Sequence, residues 1–353
     1  MKKYIPQMEP LVREKWAKSV YDQILTGWIG VGETTEKFEN KIREICGCEY
    51  VISTTSGTAA IILSIIGMDL PKKSSILFPN YGFLAGANAI KSLGYDVELV
   101  DIDPTNLCIS DIKLREKLEE CDNVSCVLFI NFNAYTGYYV ENIKNICDEY
   151  NVSMLEDSSQ ALGMKNAGVV GDVGIFSFSV PKLVTTGQGG VMVTNDEKIY
   201  KLANRYKDQG GDWRKTKIHK HLGINLKFDD IHSSYGLSQL NDLSFLLSER
   251  KRIFDKYKEC LGVDNFYHNW QDSSWMIILK TDSPTEIMKE LKSNNIQSVN
   301  YYKPTNTQPI YLNDGEFPIS SQVVKKSLYL PSSLTLTDDD IEYVCDIIKK
   351  MKK

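Results

Sequence analysis

MLEDSSQALG (Met154–Gly163) and GDVGIFSFSVPKLVTTGQGGVMVTN (Gly171–Asn195) form the stretch from which the rest of the chain is read. A short apolar run ends in Glu156-Asp157, and Gln160 follows three residues after the aspartate. A second apolar run, Val173 to Val180, leads to Lys182. A polar turn with Gly187, Gly189 and Gly190 comes next, and then a third run, Val191 to Thr194. Short apolar runs bounded by turn residues read as buried strands, and the strand ends of an α/β sheet are where ligands sit. The stretch therefore delivers a carboxylate and a lysine to neighbouring strand ends. Taken singly, Asp157 and Lys182 are ordinary charges at loop starts. The order acid, glutamine, Ser-Phe strand, lysine, glycine turn is far more specific.

This pair suits pyridoxal 5'-phosphate. A lysine can form a Schiff base with its aldehyde, and an aspartate can keep its ring nitrogen protonated so that the ring draws electrons. Glu156-Asp157-Ser158-Ser159-Gln160, Ser177-Phe178 to Lys182, and Gly187-Gln188-Gly189-Gly190 together resemble the EDxAQ, SFxxxK and GxGG motifs of the DegT/DnrJ/StrS sugar aminotransferases.

Strands alternating with helical patterns of 10–15 residues predict a mostly parallel sheet with helices on both faces, of about seven strands. The resemblance implies the aspartate-aminotransferase-like fold (type I), with a large cofactor-binding domain over residues 1–249 and a smaller α+β domain over 250–353.

Outward from this stretch, Tyr50–Ser53 reads as a buried strand, and Ser56-Gly57-Thr58-Ala59-Ala60 opens the next helix. Free N–H groups and a partial positive charge at a helix start fit an anion, although Ser-Gly-Thr is also a good N-cap sequence. The match to the family's SGTxA loop implies Gly57, Thr58 and Ala59 as phosphate contacts. It also implies Phe83 as a ring stacked on the cofactor, Gln160 on the ring O3′ and Ser177 on the phosphate. Gly82 replaces the polar residue usual before that aromatic, a departure expected to loosen the backbone. Asn131 stands where relatives have histidine, and Gln209 departs from their His-Gly. Gly223 to Asp230 resembles GxNxRMxD with Lys227 at the arginine, which implies that Asn225 reaches the cofactor phosphate of a neighbouring subunit. A homodimer with shared active sites is the corresponding expectation. Asn225 is equally an ordinary turn residue, and Trp28 reads as core packing. Tyr301-Tyr302-Lys303-Pro304 falls where relatives present a Tyr-Pro loop toward the sugar.

Further elements follow from periodicity: helices over Val12–Leu25 (with Trp16, Val20 and Ile24 on one face), Ile231–Leu247 and Pro284–Asn294, strands over Ser75–Phe78, Val97–Asp103, Val124–Phe132, Trp275–Lys280 and Ser327–Leu330, and a last helix capped by Thr337 and Asp340.

Composition narrows the functional class. With 353 residues the chain can bury a substantial core, and a net charge of −5 argues against a nucleic-acid partner. No apolar run is long enough for a membrane span, and Pro6 and Glu9 interrupt any signal-peptide core. Eight scattered cysteines without a C-x-x-C pair predict reduced thiols and a cytoplasmic setting. His219, His221, His232 and His268 lack ligand spacing, so no metal site is expected.

The resemblance implies transamination of a nucleotide-linked keto sugar with an amino-acid donor. The expected ketone is the C4 ketone of UDP- or dTDP-4-keto-6-deoxy-D-glucose, giving the 4-amino-4,6-dideoxy sugar with L-glutamate as donor. A 3-keto sugar and a GDP-linked hexose are the rival substrates. Lys182 disfavours the family's 3-dehydratases, which carry histidine there. A non-catalytic scaffold would have lost the lysine, acid or glutamine, and a desulfurase would need a cysteine on a mobile loop.

Overall fold

The computed structural model describes residues 3–211, 213–267 and 274–351, without the side chains of residues 213 and 214. His268, Asp212 and the outermost residues of both termini lie outside the described residues. Seven strands form the main sheet: β1 (Tyr50–Thr54), β2 (Ser75–Pro79), β3 (Asp96–Val100), β4 (Val124–Ile130), β5 (Ser153–Asp157), β6 (Val173–Ser177) and β7 (Gly190–Thr194). Their spatial order is β1-β7-β6-β5-β4-β2-β3. Only β7 runs against its neighbours, pairing antiparallel with β1 and β6. The remaining pairs are parallel. Consecutive buried residues along β4, β5, β6 and β7 show that both faces of the sheet are covered, which is why these strands read as unbroken apolar runs.

The reversal of β7 places the site. A parallel neighbour would require a long crossover. Here residues 178–189 instead return directly from β6 to β7 and stay at the carboxyl end of β6, beside the end of β5. The loop is pinned where it closes, with Phe178 N–H donating to Gly189 O at 2.9 Å and Thr186 N–H to Phe178 O at 2.9 Å.

The C-terminal part builds a second core on a three-stranded antiparallel sheet of β8 (Phe266–Tyr267), β9 (Ile278–Lys280) and β10 (Ser327–Tyr329), in the order β10-β9-β8. Helices Leu243–Leu261, Pro284–Ser293 and Asp338–Met351 supply apolar residues to that core. The first of them runs through position 250. The N-terminal stretch also joins it: Ile5 is buried there, its N–H bonded to Asn295 O and its carbonyl to Gln297 N–H. Thr337 and Asp340 form the expected reciprocal cap.

Several elements differ from the sequence reading. β4 stops at Ile130 because Phe132–Ala134 turns over, with Asn133 and Ala134 at φ of 50° and 70°. β3 stops at Val100, and Asp101 accepts from Ile319 N–H and Ser320 N–H at the start of helix Pro318–Lys326. The periodicity over Ile231–Leu247 splits into Asp230–Leu240 and Leu243–Leu261. At the break Asp242 accepts from Trp16 Nε1 at 2.8 Å and pairs with Lys15. The strand over Trp275–Lys280 shortens to β9, and the N–H groups of Met276 and Ile277 donate to the side chains of Asn133 and Ser332 instead of a neighbouring strand. On helix Glu14–Leu25 only Trp16 is buried, and Ile24 and Leu25 face outward. Trp28, read as core, is 61% exposed. Among the described residues no helix is long and apolar enough to cross a membrane.

Candidate active site

At the carboxyl ends of β5 and β6 lies a cavity of about 290 Å³, reached by Gly57, Thr58, Phe83, Asp157, Gln160, Ser177 and Lys182. These come from four segments, separated by up to 125 residues, that the sheet order brings together.

β5 carries two adjacent acids, and successive side chains on a strand point to opposite faces. Asp157 faces the cavity, 9% exposed, with Oδ1 accepting from Ser159 N–H at 3.0 Å. Glu156 points the other way and is fully buried. Its carboxylate accepts from the N–H groups of Gly168, Val170 and Gly171 at 3.2, 2.7 and 2.6 Å. Burial holds its carboxyl above the usual range, against the pull of those donors. Glu156 therefore fastens the loop before β6, and Asp157 is the acid available for chemistry.

Lys182 follows a tight turn in which its own N–H donates to Ser179 O at 3.0 Å. Its Nζ lies 4.2 Å from the centroid of the Trp275 ring. Among the described residues, no hydrogen bond or ion pair engages that amine. Removal from water pushes its pKa down to about 8, while the Asp157 charge pulls the other way. Such an amine is neutral in a large fraction near pH 8 and is a competent nucleophile and base.

The helix Gly57–Met68 starts at the cavity, capped by Ser56, whose Oγ accepts from Ala59 N–H at 3.1 Å. Gly57 and Thr58 line the cavity, whereas Ala59 is buried behind them with its N–H already used. A Cβ at Gly57 would come 2.9 Å from Ser177 Cβ, so glycine is what lets Ser177 and the helix start share one pocket. Gln160 is oriented by Asn133 N–H, which donates to its Oε1 at 2.6 Å. Phe83 stands at the lip, 63% exposed. Gly82 stands where a side chain has no room. Its φ is 151°, and a Cβ there would meet Ile130 Cδ1 at 2.7 Å, so the glycine serves a close approach.

Asn131 is buried outside the cavity; its Oδ1 accepts from Ser158 Oγ at 2.6 Å and its amide donates to Tyr135 O at 3.0 Å. Asn225 is not brought to this cavity. It is exposed on the segment that bridges Asp208, and Lys227 beside it pairs with Asp208 at 2.7 Å. Among the described residues no histidine lines the cavity, and no cluster of ligating side chains could hold a metal.

Two walls come from the C-terminal part. Tyr302, on the loop that the resemblance turned toward the sugar, is 6% exposed. Its phenol is pushed well up by burial, with Tyr81, Tyr301 and Asp157 adding to the rise. The sequence marks Trp275 only as the start of a strand, and nothing local in SSWMIIL makes it a site residue. A larger cleft of about 660 Å³ lies elsewhere, between helices Glu33–Cys46 and Glu197–Lys207. It contains none of the strand-end residues, and its Lys207 and Lys227 face Glu39 and Asp208. The smaller cavity is therefore the candidate.

The donor set fits pyridoxal phosphate: an unpaired lysine amine, a carboxylate, and a glycine-tight helix start beside a serine hydroxyl, where an anion is favoured. Comparison with known proteins agrees. The DegT/DnrJ/EryC1/StrS aminotransferase family matches residues 10–349. GDP-perosamine synthase of Escherichia coli O157:H7 is 26% identical, over 99% of this chain and 98% of its own. The putative pyridoxal phosphate-dependent aminotransferase EpsN of Bacillus subtilis is 28% identical, over 92% and 89%. Among solved structures, the aminotransferase PseC of Helicobacter pylori superimposes with a TM-score of 0.91 at 22% identity, covering 99% of both chains.

Proposed function

The chain belongs to the DegT/DnrJ/EryC1/StrS aminotransferase family as a pyridoxal phosphate-dependent sugar aminotransferase, and we propose that it aminates the C4 ketone of a UDP- or dTDP-linked 4-keto-6-deoxy-D-glucose. L-Glutamate is the donor, and a 4-amino-4,6-dideoxy sugar for glycan synthesis is the product. The observation that carries the reading is the unpaired, desolvated amine of Lys182 beside Asp157 at the ends of adjacent strands.

Bound pyridoxal phosphate supplies an electrophilic carbonyl carbon and a conjugated ring that takes up the electrons of a deprotonated α-carbon. Lys182 would hold that carbon, and its Nζ, when free, would take a proton and return it. Asp157 keeps a proton on the ring nitrogen by its charge. The N–H groups of Gly57 and Thr58 and the Ser177 hydroxyl hold the phosphate. Ala59 acts behind them, through the cap that fixes this turn. Gln160 bonds the ring oxygen, and Phe83 packs on the ring and sets its tilt. Asn225 acts in the site of a second copy, making a homodimer the active unit. Its exposure, with outward-facing Leu222 and Ile224 beside it and Trp28 and Ile29 exposed elsewhere, supports that reading.

The test is absorbance of the purified enzyme with added cofactor, followed by L-glutamate and then a panel of keto-sugar nucleotides, with product masses measured. The expected result is a band that glutamate bleaches and that a UDP- or dTDP-4-keto-6-deoxyglucose restores. Restoration by a GDP-linked keto sugar alone would establish the second reading, which the similarity to GDP-perosamine synthase favours. Restoration by no keto sugar would sink the substrate class. For the shared site, Lys182→Ala and Asn225→Ala proteins should regain activity when mixed, because one site of the mixed dimer is intact.

A further inference from the structure

We infer that Trp275 is a positioning residue for Lys182: its indole N–H fixes the peptide leading into the lysine, and its ring is the surface on which the free amine rests. The inference builds on the reading of Lys182 as the cofactor lysine. Two independent contacts join these residues across the chain. Trp275 Nε1 donates to Pro181 O at 3.0 Å, one residue before Lys182. The Lys182 Nζ then sits 4.2 Å from the ring centroid, within the range in which an aromatic face attracts an ammonium group. Trp275 is 6% exposed, so the contact is shielded from water on the ring side.

The tryptophan is itself held by its neighbours. Met276 N–H donates to Asn133 Oδ1 at 2.7 Å, and Asn133 N–H donates in turn to Gln160 Oε1. Ile277 N–H donates to Ser332 Oγ at 2.9 Å, and Gln7 reaches the Met276 sulfur. The segment 275–277 thus links the loop after β4, which orients Gln160, to the loop after β6, which carries Lys182. The chemistry gives this a use. A lysine that must leave the cofactor and later return a proton has four rotatable methylenes, and without a resting surface it would sample many positions. The ring gives it one resting place inside the cavity. Other titratable groups around it are Asp157, Tyr301 and Tyr302 in the cavity, and Glu9 and Arg250 in the small void under its loop.

The experiment uses the full chain freed of cofactor. Acylation of Lys182 by an isotopically labelled anhydride is followed by mass spectrometry over a pH series, in wild type, Trp275→Leu and Trp275→Phe. Leucine keeps apolar bulk but removes the π face that favours the charged amine, so half-labelling should move down by about half a unit to one and a half units. Phenylalanine keeps a face but loses the N–H, and should restore most of the shift while leaving kcat reduced at unchanged KM. Near-ultraviolet circular dichroism checks that the variants are folded. Unchanged half-labelling in folded Trp275→Leu, or a shift upward from admitted water, would overturn the inference and leave the tryptophan as packing. Borohydride reduction of the loaded enzyme, with mass analysis of the Lys182 peptide, reads the underlying assignment separately. An unmodified peptide there would overturn the cofactor-lysine reading and the catalytic meaning of Trp275 together.

Discussion

The main sheet and the C-terminal part both contribute to the cavity, but they hold their residues by different means. Asp157, Ser177 and Lys182 lie within 26 residues of chain; ladder hydrogen bonds place the first two at the ends of paired strands, and backbone bonds close the loop that carries Lys182. Trp275, Tyr301 and Tyr302 come from irregular segments fixed by side chains. Asn80, at the end of β2, bonds Asn306 in both directions and Ser320 as well. Asn133 holds Met276, and the Tyr81 and Tyr329 hydroxyls meet at 2.8 Å. The reacting groups therefore stand on the stiffer frame, and the walls depend on a few buried polar junctions that one substitution can break.

That contrast can be tested from either side. Lys182→Ala should have the largest effect, lowering amino transfer roughly 10³-fold or more, with the circular dichroism spectrum unchanged. Asp157→Asn should lower kcat roughly 10²–10³-fold while thermal stability stays near wild type. Its neighbour reverses the pattern. Glu156→Gln should cost about 1–3 kcal/mol in chemical denaturation by weakening the hold on three buried N–H groups, with cofactor binding retained. Equal behaviour of the two acids would break the division between an acid for chemistry and an acid for structure. Asn80→Ala should cost a similar or smaller amount, about 1–2 kcal/mol, and raise KM more than it lowers kcat, because the Tyr302 wall loosens while the lysine frame stands. The smallest effect concerns pH. In cofactor-free protein, Lys182 should be half-labelled near pH 8, well below an ordinary lysine. The unfolded chain still binds that proton between about pH 8 and the normal lysine range, so this group makes folding more favourable as pH rises through that window. Labelling only at the ordinary lysine pH would show that water reaches the amine.

Much of the site was legible because its chemistry is local. The alternation of buried strands with glycine-bounded turns located β1, β2, β5, β6 and β7, and Ser56-Gly57-Thr58 marked the start of a helix. Residues whose task depends on a distant partner were not legible. Nothing near Glu156 distinguishes it from Asp157 until strand alternation and the loop 168–171 are placed. The lack of room for a Cβ at Gly82 comes from Ile130, which lies 48 residues away. The helix over Ile231–Leu247 broke at a carboxylate that serves Trp16, from near the other end of the chain.

The amino-acid sequence by itself determined the strand-and-helix alternation, the mostly parallel sheet and the positions of the acid pair, the lysine and the glycine-rich turns, because apolar periodicity and turn chemistry act over a few residues. Only the tertiary structure decided which acid faces the cavity, that β7 reverses and so leaves the lysine loop at the carboxyl end of the sheet, and that Trp275 closes over that lysine. Those outcomes depend on strand order and on hydrogen bonds between residues many tens of positions apart, which no local pattern encodes.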